Sequence, residues 1–431
     1  MSLERGEMRS VVALLLGVFT SATAAMAGVT ALGKLVYDIT HRELDLGLLG
    51  LIEFAPAALL VVVTGSVADR FDRRRVAAIA ACAEAASAFG LAAYAATDRL
   101  RVGPIFLLVL AFGTSRAFVA PASRSLAADI VEPDRLPWLI PRQSAAWQAA
   151  VVVGPVLGGF LYTIHPKWPF VAMGSLLLLS AVVLLLVRVR PRAVGAVAAV
   201  GALDGAVDQP LPHGPDAVTT QPSQWQEALE GLRFIRRHQI VLGAISLDLF
   251  AVLFGGAVAL LPAIAEDRLG VDAVGLGWLR AAGGIGAALV TLVLALRPLR
   301  RRVGRILLVA VATFGVGTIV LGATRSFLVA FIAMAVLSGA DAVSVFVRAT
   351  LVPLVTPEQK RGRVLAVENV FIGASNELGA FESGVAGQAL GAAPAIVLGG
   401  AATLAIAGIW WTAFPALRDV DEFPRESLVD S

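Results

Sequence analysis

Long apolar runs separated by short polar segments fill most of the chain. An α-helix needs about 20 apolar residues to cross a hydrocarbon layer about 30 Å thick, and twelve runs reach this length. We expect the first to be a membrane helix rather than a cleavable signal peptide, because it is too long and further runs follow. The pattern predicts an all-α membrane protein with twelve transmembrane helices at about 11–33, 46–68, 74–96, 103–124, 141–163, 168–188, 240–263, 273–297, 303–323, 326–348, 361–387 and 392–414.

The composition supports this prediction and excludes other protein classes. Of the 431 residues, 58% are hydrophobic and 16% are charged, whereas soluble globular proteins carry about 45–50% apolar and about 25% charged residues. Such a content also excludes a disordered chain and a collagen-like repeat. Cys82 is the only cysteine, so neither an intrachain disulfide nor a cysteine-based metal cluster can form. The four histidines lack metal-ligand spacing, and we expect no metal and no other cofactor.

The basic residues indicate how the helices are oriented. With the N-terminus inside, the inner loops and tails hold 26 of the 35 Lys and Arg residues, the outer loops hold 7, and two lie within the spans. Cytoplasmic loops carry such an excess, so we predict that both termini are cytoplasmic. The net charge of +3 then reflects membrane topology, and we expect no nucleic-acid partner. Arg outnumbers Lys by 32 to 3, which suggests a GC-rich genome and a bacterial plasma (inner) membrane.

A long polar segment divides the twelve runs into six and six. Residues 191–223 are rich in Ala, Gly, Pro and Asp and have the composition of a flexible linker. Apolar residues mixed with arginines follow, up to His238. This mixture predicts an amphipathic helix on the cytoplasmic membrane surface or, as an alternative, a solvated helical linker. The predicted units are an N-terminal six-helix bundle at 1–190, the linker with its helix at 191–238, a C-terminal six-helix bundle at 239–415 and a cytoplasmic tail at 416–431.

Two short echoes indicate that the halves are copies of one unit. The sequence R-R-R-V begins at Arg73 and again at Arg300, 227 residues later. After the fourth and tenth runs, Arg124 and Arg348 are each followed nine residues later by Pro, at an offset of 224. Each echo is weak alone, but two at nearly one offset around a central linker predict two pseudo-symmetric six-helix halves. Transporters often have such internal repeats.

Several motifs resemble those of the major facilitator superfamily. The loop after the second run reads G-S-V-A-D-R-F-D-R-R-R (65–75), which is similar to the family's loop signature G-x-x-x-D-R-x-G-R-R, with Asp72 in place of Gly. The fifth run contains G-P-V-L-G-G (154–159), similar to the core of the family's antiporter motif, and R-A-F-V-A (116–120) matches part of its proton-relay motif. Residues 337–391 are similar to the branch with the enterobactin exporter and macrolide efflux proteins. The resemblance implies a major facilitator fold and transport by alternating access.

The resemblance also implies roles for two of these motifs. The loop residues would form a charge latch that holds one state, although Leu296 occupies the position of the acid in the second half; positive-inside anchoring is the alternative. The glycine motif would give a kinked, closely packed helix that limits leak in exporters, and ordinary small-residue packing is the alternative. The loop residues are Gly65, Asp69, Arg70, Arg73 and Arg74, and the glycine-motif residues are Gly154, Pro155, Gly158 and Gly159.

Ionisable residues inside apolar runs are costly and mark candidate functional positions. A buried carboxylate can bind and release protons, and an arginine can modulate it or bind an anionic group; a buried structural pair is the alternative for each. Glu368 and Glu382 lie near span ends and fit a structural role, and Arg124 and Arg348 fit anchors or gate residues. The proton-coupling candidates are Asp248, Asp341, Glu53 and Glu84, and the substrate or relay candidates are Arg116, Arg280, Asn376 and Glu377.

These observations predict a secondary active transporter that exports a hydrophobic or amphiphilic small molecule, such as a drug or a siderophore-like compound, in exchange for protons. An uptake or uniport facilitator and a transport-dead receptor on the same scaffold are the alternatives. The sequence contains no G-x-S-x-G, no H-E-x-x-H and no nucleotide P-loop, which argues against an enzyme and against an ATP-driven pump within this chain. The expected partners are the small-molecule substrate, protons and the lipid bilayer, and we expect the chain to function as a monomer.

Overall fold

The structure, a computed structural model, describes residues 5–60, 64, 67, 71–98, 100–124, 130–186 and 224–424. Within these ranges every regular element is helical. The first six helices are α1 (Arg5–Thr40), α2 (Glu43–Leu59), α3 (Arg73–Ala95), α4 (Val102–Arg124), α5 (Leu136–Ile164) and α6 (Lys167–Leu186). They are followed by α7 (Gln224–Arg237), α8 (Gln239–Phe254), α9 (Ala273–Leu296), α10 (Val303–Ala323), α11 (Phe327–Leu354), α12 (Glu358–Leu390), α13 (Ala392–Ala413) and α14 (Pro415–Arg418).

Each of the twelve predicted spans contains one of these helices. Ten helical stretches of the described chain are long and apolar enough to cross a membrane, and one of them, Gln239–Arg268, joins α8 to the turns that follow it. The other two predicted spans are α2, whose described part has 17 residues, and α12, which has 33 residues. The apolar character of α12 is reduced by polar side chains in its middle and distal part, and α12 packs against α2. Asn369, Asn376, Glu377 and Glu382 are among them.

The helices pack as two bundles with the same internal pairing. In the N-terminal half α1 packs on α5 and α6, α3 packs on α4 and α6, and α2 packs on α4. In the C-terminal half α8 packs on α12 and α13, α10 packs on α11 and α13, and α9 packs on α11. The five pairings of one half thus recur in the other at equivalent positions. This repetition confirms the predicted arrangement of two pseudo-symmetric six-helix bundles.

The halves meet along two helix pairs, α2 with α12 and α5 with α9. We call the face where α1 begins the proximal face, and the opposite face, where α1 ends, the distal face. Near the distal face, a Cβ atom added to Gly159 of α5 would lie 2.2 Å from the carbonyl oxygen of Ala273 on α9. A Cβ atom on Gly47 of α2 would lie 2.9 Å from the carbonyl oxygen of Ala380 on α12. Glycine therefore permits backbone contact between the halves, and the molecule is closed at its distal face.

Polar contacts at the distal face join α1 to the turn that follows α8. Lys34 Nζ lies 2.6 Å from Glu266 Oε2, and the hydroxyl of Tyr37 donates a hydrogen bond to the carboxylate of Asp267. Both acids lie on the π-helical turn Ile264–Arg268. Because α1 belongs to one half and this turn to the other, the two contacts add to the closure of the distal face.

The predicted span 240–263 is interrupted in the structure. Helix α8 ends at Phe254, and two glycines precede the 3₁₀ turn Ala257–Leu260. A Cβ atom on Gly255 would lie 2.4 Å from the ring of Phe314, and one on Gly256 would lie 2.4 Å from a backbone oxygen of α12. The glycines admit these neighbours but weaken the helix. Non-helical backbone at membrane depth is tolerated where it is buried in protein or lines a cavity.

Helix α7 packs on the proximal end of α12. Ile235 is buried, a Cβ atom on Gly231 would lie 2.9 Å from the carbonyl oxygen of Arg363, and Glu230 forms an ion pair with the same arginine. The helix expected before the seventh span is therefore present, with one face against protein. The rest of the expected linker, residues 191–223, lies outside the described chain, so the domain boundaries stay a prediction.

Candidate functional site

A cavity of about 410 Å³ lies between the two halves. Residues of α1 and α2 form its wall on one side, and residues of α9, α11, α12 and the break after α8 form it on the other. The wall is mainly apolar, with leucine, valine and phenylalanine side chains. Five of the eight intramembrane candidates predicted from the sequence come together here: Glu53, Arg280, Asp341, Asn376 and Glu377.

The cavity wall carries three carboxylates and one guanidinium group. The guanidinium belongs to Arg280, whose Nε is buried without a hydrogen-bond partner. Among the described residues no carboxylate lies within ion-pair distance of it. Gly33 of α1 leaves room for this side chain, since a Cβ atom there would lie 3.6 Å from Arg280 Nη2. Within the described chain, Arg280 thus supplies a positive charge that no carboxylate neutralises directly.

Two of the carboxylates approach each other from opposite halves. Glu377 of α12 reaches the backbone of α2, because a Cβ atom on Gly50 would lie 2.7 Å from Glu377 Oε2. Glu53 lies three residues after Gly50, which places it on the same face of α2, one turn away. Both carboxylates line the central cavity. Glu53 Oε1 also lies 3.9 Å from Arg116 Nε, so Arg116 neutralises the pair only weakly.

A buried charge cluster lies in the C-terminal half beside the cavity. Arg348 Nη2 lies 2.6 Å from Asp248 Oδ1, and Arg348 Nη1 lies 3.9 Å from Glu368 Oε1. The side chains of Arg348 and Asp248 are only 4% and 7% exposed. Ser344 Oγ lies 3.5 Å from Arg348 Nε. A cavity of about 10 Å³ touches Asp248, Ser344 and Asp341, and Asp341 also lines the central cavity.

The role of Arg348 in this cluster was not foreseen in the sequence, which suggested only an anchor or gate residue. Helical spacing offered a signal, since Asp341, Ser344 and Arg348 are three and four residues apart and lie on one face of α11. Glu368 was placed near a span end, and the structure places it within reach of the same arginine. The pairing across three helices could not be deduced from spacing within one helix.

A second cavity, of about 370 Å³, lies within the N-terminal half. It is lined by Glu84 and Arg116 together with Gln143 and Trp147. Glu84 is 4% exposed, and in the described chain no ion pair or hydrogen bond of its carboxylate is found. The structure therefore separates Glu84 from the central cavity, while Arg116 lies between this second cavity and Glu53.

The glycine motif of α5 faces two different neighbours. Cβ atoms on Gly154 and Gly158 would lie 2.5 Å from Met26 Cβ and from the carbonyl oxygen of Ala27, both on α1 of the same half. Gly159, in contrast, meets α9 of the other half. The carbonyl oxygen of Pro155 also faces α9, where a Cβ atom on Gly277 would lie 2.5 Å from it. One part of the motif therefore packs the N-terminal bundle, and the other part forms the distal contact between halves.

Most of the predicted loop latch lies outside the described chain, namely Gly65, Asp69, Arg70 and the side chain of Arg73. The backbone of Arg73 begins α3, and Asp72 caps this helix by accepting a hydrogen bond from Arg74 N at 2.9 Å. The guanidinium of Arg74 lies 3.3 Å from the same carboxylate. Partial burial acts to raise the pKa of Asp72, but the bonds from Arg74 outweigh it and hold this pKa below its usual 3.8.

Known proteins resemble the chain in sequence. Residues 14–380 match the family model of the Major Facilitator Superfamily. The multidrug efflux pump Tap of Mycobacterium tuberculosis (strain ATCC 25618 / H37Rv) is 26% identical, and the match covers 95% of each chain. Multidrug resistance protein 1 of Bacillus subtilis (strain 168) is 28% identical over 144 residues, which are 32% of this chain and 34% of that protein.

Solved structures share the fold. A bacterial homologue of the human lysosomal transporter Spinster, inward-facing and unoccupied, has a TM-score of 0.68 at 15% identity and covers 97% of both chains. The peptide transporter POT in complex with sulfate has a TM-score of 0.68 at 15% identity and covers 96% of both chains. The predicted fold and the family resemblance are thus confirmed, and the protein is a membrane transporter and not an enzyme. The chain belongs to the Major Facilitator Superfamily.

Proposed function

We propose that the protein is a secondary active exporter that carries amphiphilic, cationic small molecules out of the cell in exchange for protons. The central cavity carries this proposal, because it lies between the halves and sets three carboxylates and one guanidinium in a mainly apolar wall. A cation with an apolar body fits both features, since the wall accepts the body and the carboxylates attract the charge. The 26% sequence identity with a multidrug efflux pump supports export over uptake.

The orientation of this exporter follows from the basic residues. Because 26 of 35 Lys and Arg residues lie on the side of the termini, we infer that the proximal face is cytoplasmic and that the membrane is the bacterial plasma membrane. The distal closure then makes this conformation inward-facing. We infer function as a monomer, because the two halves of one chain together form the central cavity.

We assign the coupling proton to the Glu53 and Glu377 pair. Distal closure brings the Glu377 carboxylate against Gly50, one turn from Glu53, and two negative charges repel at this distance. A proton on either carboxylate removes the repulsion. When α2 and α12 separate, the two carboxylates move apart. Their repulsion then falls, and protonation of the pair is no longer favoured. The proton affinity of the pair therefore differs between the two conformations, which is what coupling requires.

Asp341 and Arg280 complete the site in this proposal. Asp341 offers a carboxylate to the cationic group of the substrate from α11, on the cavity wall opposite α2. Arg280 has no direct acidic partner and limits the total negative charge, so that a cation is attracted but can still be released. Asn376 adds an amide to the same wall. The apolar residues between these groups make few directional contacts, so the cavity should accept substrates of different shapes.

The test uses the purified protein in proteoliposomes with an internal pH dye, exposed to lipophilic cations, macrolides and catechol siderophores. We expect lipophilic cations to drive proton movement. The variants Glu53→Gln and Glu377→Gln should lose proton movement and keep downhill movement of the cation. Two controls should keep both activities: Glu84→Gln, which lies within one half, and Asp98→Asn, which lies in an exposed distal loop.

The alternatives give different outcomes in the same experiment. Cation movement without proton movement in the unmodified protein would indicate a uniport facilitator. Proton movement driven by siderophores alone would refute the cationic substrate class while leaving antiport intact. No movement of any compound would favour a transport-dead receptor. Equal loss of coupling in Glu84→Gln and Glu377→Gln would refute the assignment of the coupling proton to the pair between the halves.

A further inference from the structure

A strip of exposed side chains runs along α7, the helix that leads into the C-terminal half. Leu229, Arg233, Arg236 and Arg237 are all exposed. They are four, three and one residues apart, so they lie on one face of the helix. The strip therefore places three guanidinium groups side by side on the surface of the proximal face.

The opposite face of α7 fixes the direction in which this strip points. Ile235 on that face is 2% exposed, and the Lys360 ammonium lies 5.6 Å from the centre of the Phe234 ring. At the edge of the strip, Glu230 forms an ion pair with Arg363. These contacts clamp α7 onto the proximal end of α12. The arginine strip consequently faces away from the protein and cannot turn inward without breaking them.

The three arginines of the strip form no ion pair within the described chain, because no carboxylate there lies within 4.0 Å of them. Other arginines of the proximal face differ: Arg301, Arg305 and Arg418 each lie within 3.8 Å of a carboxylate of the segment Asp419–Glu422. Among the described residues the strip is thus a cluster of positive charge without a paired carboxylate, and such a cluster attracts anionic partners.

The position of the strip selects that partner. Helix α7 ends at Arg237, and the membrane helix α8 begins at Gln239, so the last two arginines lie within about 6 Å of its first turn along the chain. This is the level of the lipid headgroups, where polybasic segments meet anionic lipids. We propose that the strip binds the phosphate groups of anionic phospholipids in the adjacent leaflet. The proposal rests on the inferred orientation and not on the transport activity.

Such binding has a consequence for α12. Because α7 is clamped to the proximal end of α12, lipid bound to the strip holds that end of α12 at the membrane surface. The distal part of α12 meanwhile packs on α2 of the other half. Anionic lipid would therefore fix one end of the helix whose other end forms the contact between the halves.

The test compares two lipids added to the full-length protein in dodecyl maltoside. Native mass spectrometry measures the retention of dioleoyl phosphatidylglycerol against dioleoyl phosphatidylcholine. In the variant R233Q/R236Q/R237Q we expect the apparent affinity for phosphatidylglycerol to fall on the order of a hundredfold, since each basic residue near a lipid surface contributes about a fivefold factor. The variant R233K/R236K/R237K should retain most of the affinity. The readout contains no transport step, so it is independent of the proposed exporter activity.

A matched control removes the same charge elsewhere on the proximal face. R301Q/R305Q/R418Q also loses three positive charges, but each of these arginines already faces a carboxylate. We expect its preference for phosphatidylglycerol to change less than fivefold. Equal losses in the two glutamine variants would overturn the proposal, as would an unchanged preference in the strip variant. Competition by millimolar inorganic phosphate as strong as that by the lipid would also overturn it, because the site would then be a free-anion site.

Discussion

Replacing Gly159 by alanine should push the two halves apart at the distal face. The Cβ atom would stand 2.2 Å from the carbonyl oxygen of Ala273, about 1.2 Å closer than the 3.4 Å at which ordinary contact begins. The Cβ atom is held rigidly on the backbone of α5 and the oxygen belongs to the backbone of α9, so no flexible side chain can move aside. Helices α5 and α9 must therefore separate by about 1 Å, and the contact that closes the distal face is lost.

The magnitude follows from the cost of overpacking. One extra methyl group in a tightly packed contact costs about 1–3 kcal/mol. This cost applies to the distally closed conformation only, since the halves are apart in the other one. The equilibrium should consequently shift about 5-fold to about 150-fold toward the distally open conformation. A second substitution should disturb the same contact between α5 and α9, because Gly277→Ala would place a Cβ atom 2.5 Å from the carbonyl oxygen of Pro155.

Distances between spin labels on the distal face measure this shift. Cysteines replace Asp98 and Arg325, which lie on distal loops of the two halves, after the native exposed Cys82 is changed to alanine. We expect longer distances in G159A, and less than the sum of the two single effects in G159A/G277A, because separated helices no longer collide.

The controls for this prediction differ in their neighbours. The Cβ atom added in Gly158→Ala would collide with α1 of the same half. This variant should therefore lower thermal stability without lengthening the distances between the spin labels. Gly103→Ala has no neighbour within 4 Å of the added carbon and should change neither quantity. The reasoning fails if G159A lowers the melting temperature and leaves the distance distribution of the unmodified protein unchanged.

Three further predictions concern charged and capping groups. Lys34→Gln should favour the distally open conformation, because it removes the 2.6 Å contact with Glu266; labels on the distal face would detect this. Arg348→Gln should lower unfolding stability by about 3–5 kcal/mol, because it leaves Asp248 buried without its partner, and the additional change Asp248→Asn should restore part of it in a thermal melt. The ring of His238 accepts a hydrogen bond from Val241 N at 3.4 Å, and burial lowers the pKa of His238. The folded protein then binds fewer protons than the unfolded chain, so stability should fall as the pH drops below about 6.5, and His238→Ala should remove this slope.

The sequence revealed the number of helices and the two halves because these depend on local composition. An apolar run of sufficient length indicates a membrane span wherever it occurs. The repeated R-R-R-V motif at Arg73 and Arg300 indicates that the halves are copies of one unit. The break after Phe254 was missed, since Gly255 and Gly256 are common residues in membrane helices. Only the approach of Phe314 shows why the helix ends there. The contact of Gly159 with α9 could not be predicted either, because a glycine in an apolar run does not identify the helix that packs against it.

The candidate site was partly predictable for a different reason. A charged side chain is expensive in hydrocarbon, so its presence in an apolar run marks a cavity or a partner without saying which. For Glu53, Asp341 and Glu377 the neighbour is the central cavity. Asp248 has Arg348 as its partner instead, and Glu84 faces a cavity within its own half. The residue types are the same in both groups, and only the packing of the helices separates them.

This separation bears on which group can couple a proton gradient to the motion of the halves. Asp248, Arg348 and Glu368 lie on α8, α11 and α12, all within the C-terminal bundle, and they keep their neighbours when the bundles move as rigid units. Glu53 and Glu377 belong to different bundles, and under the proposed mechanism they would part when α2 and α12 separate. A proton shifts a conformational equilibrium only by the difference of its affinities for the two conformations. A group with constant surroundings can therefore stabilise its bundle, whereas coupling demands a group at the boundary between the bundles.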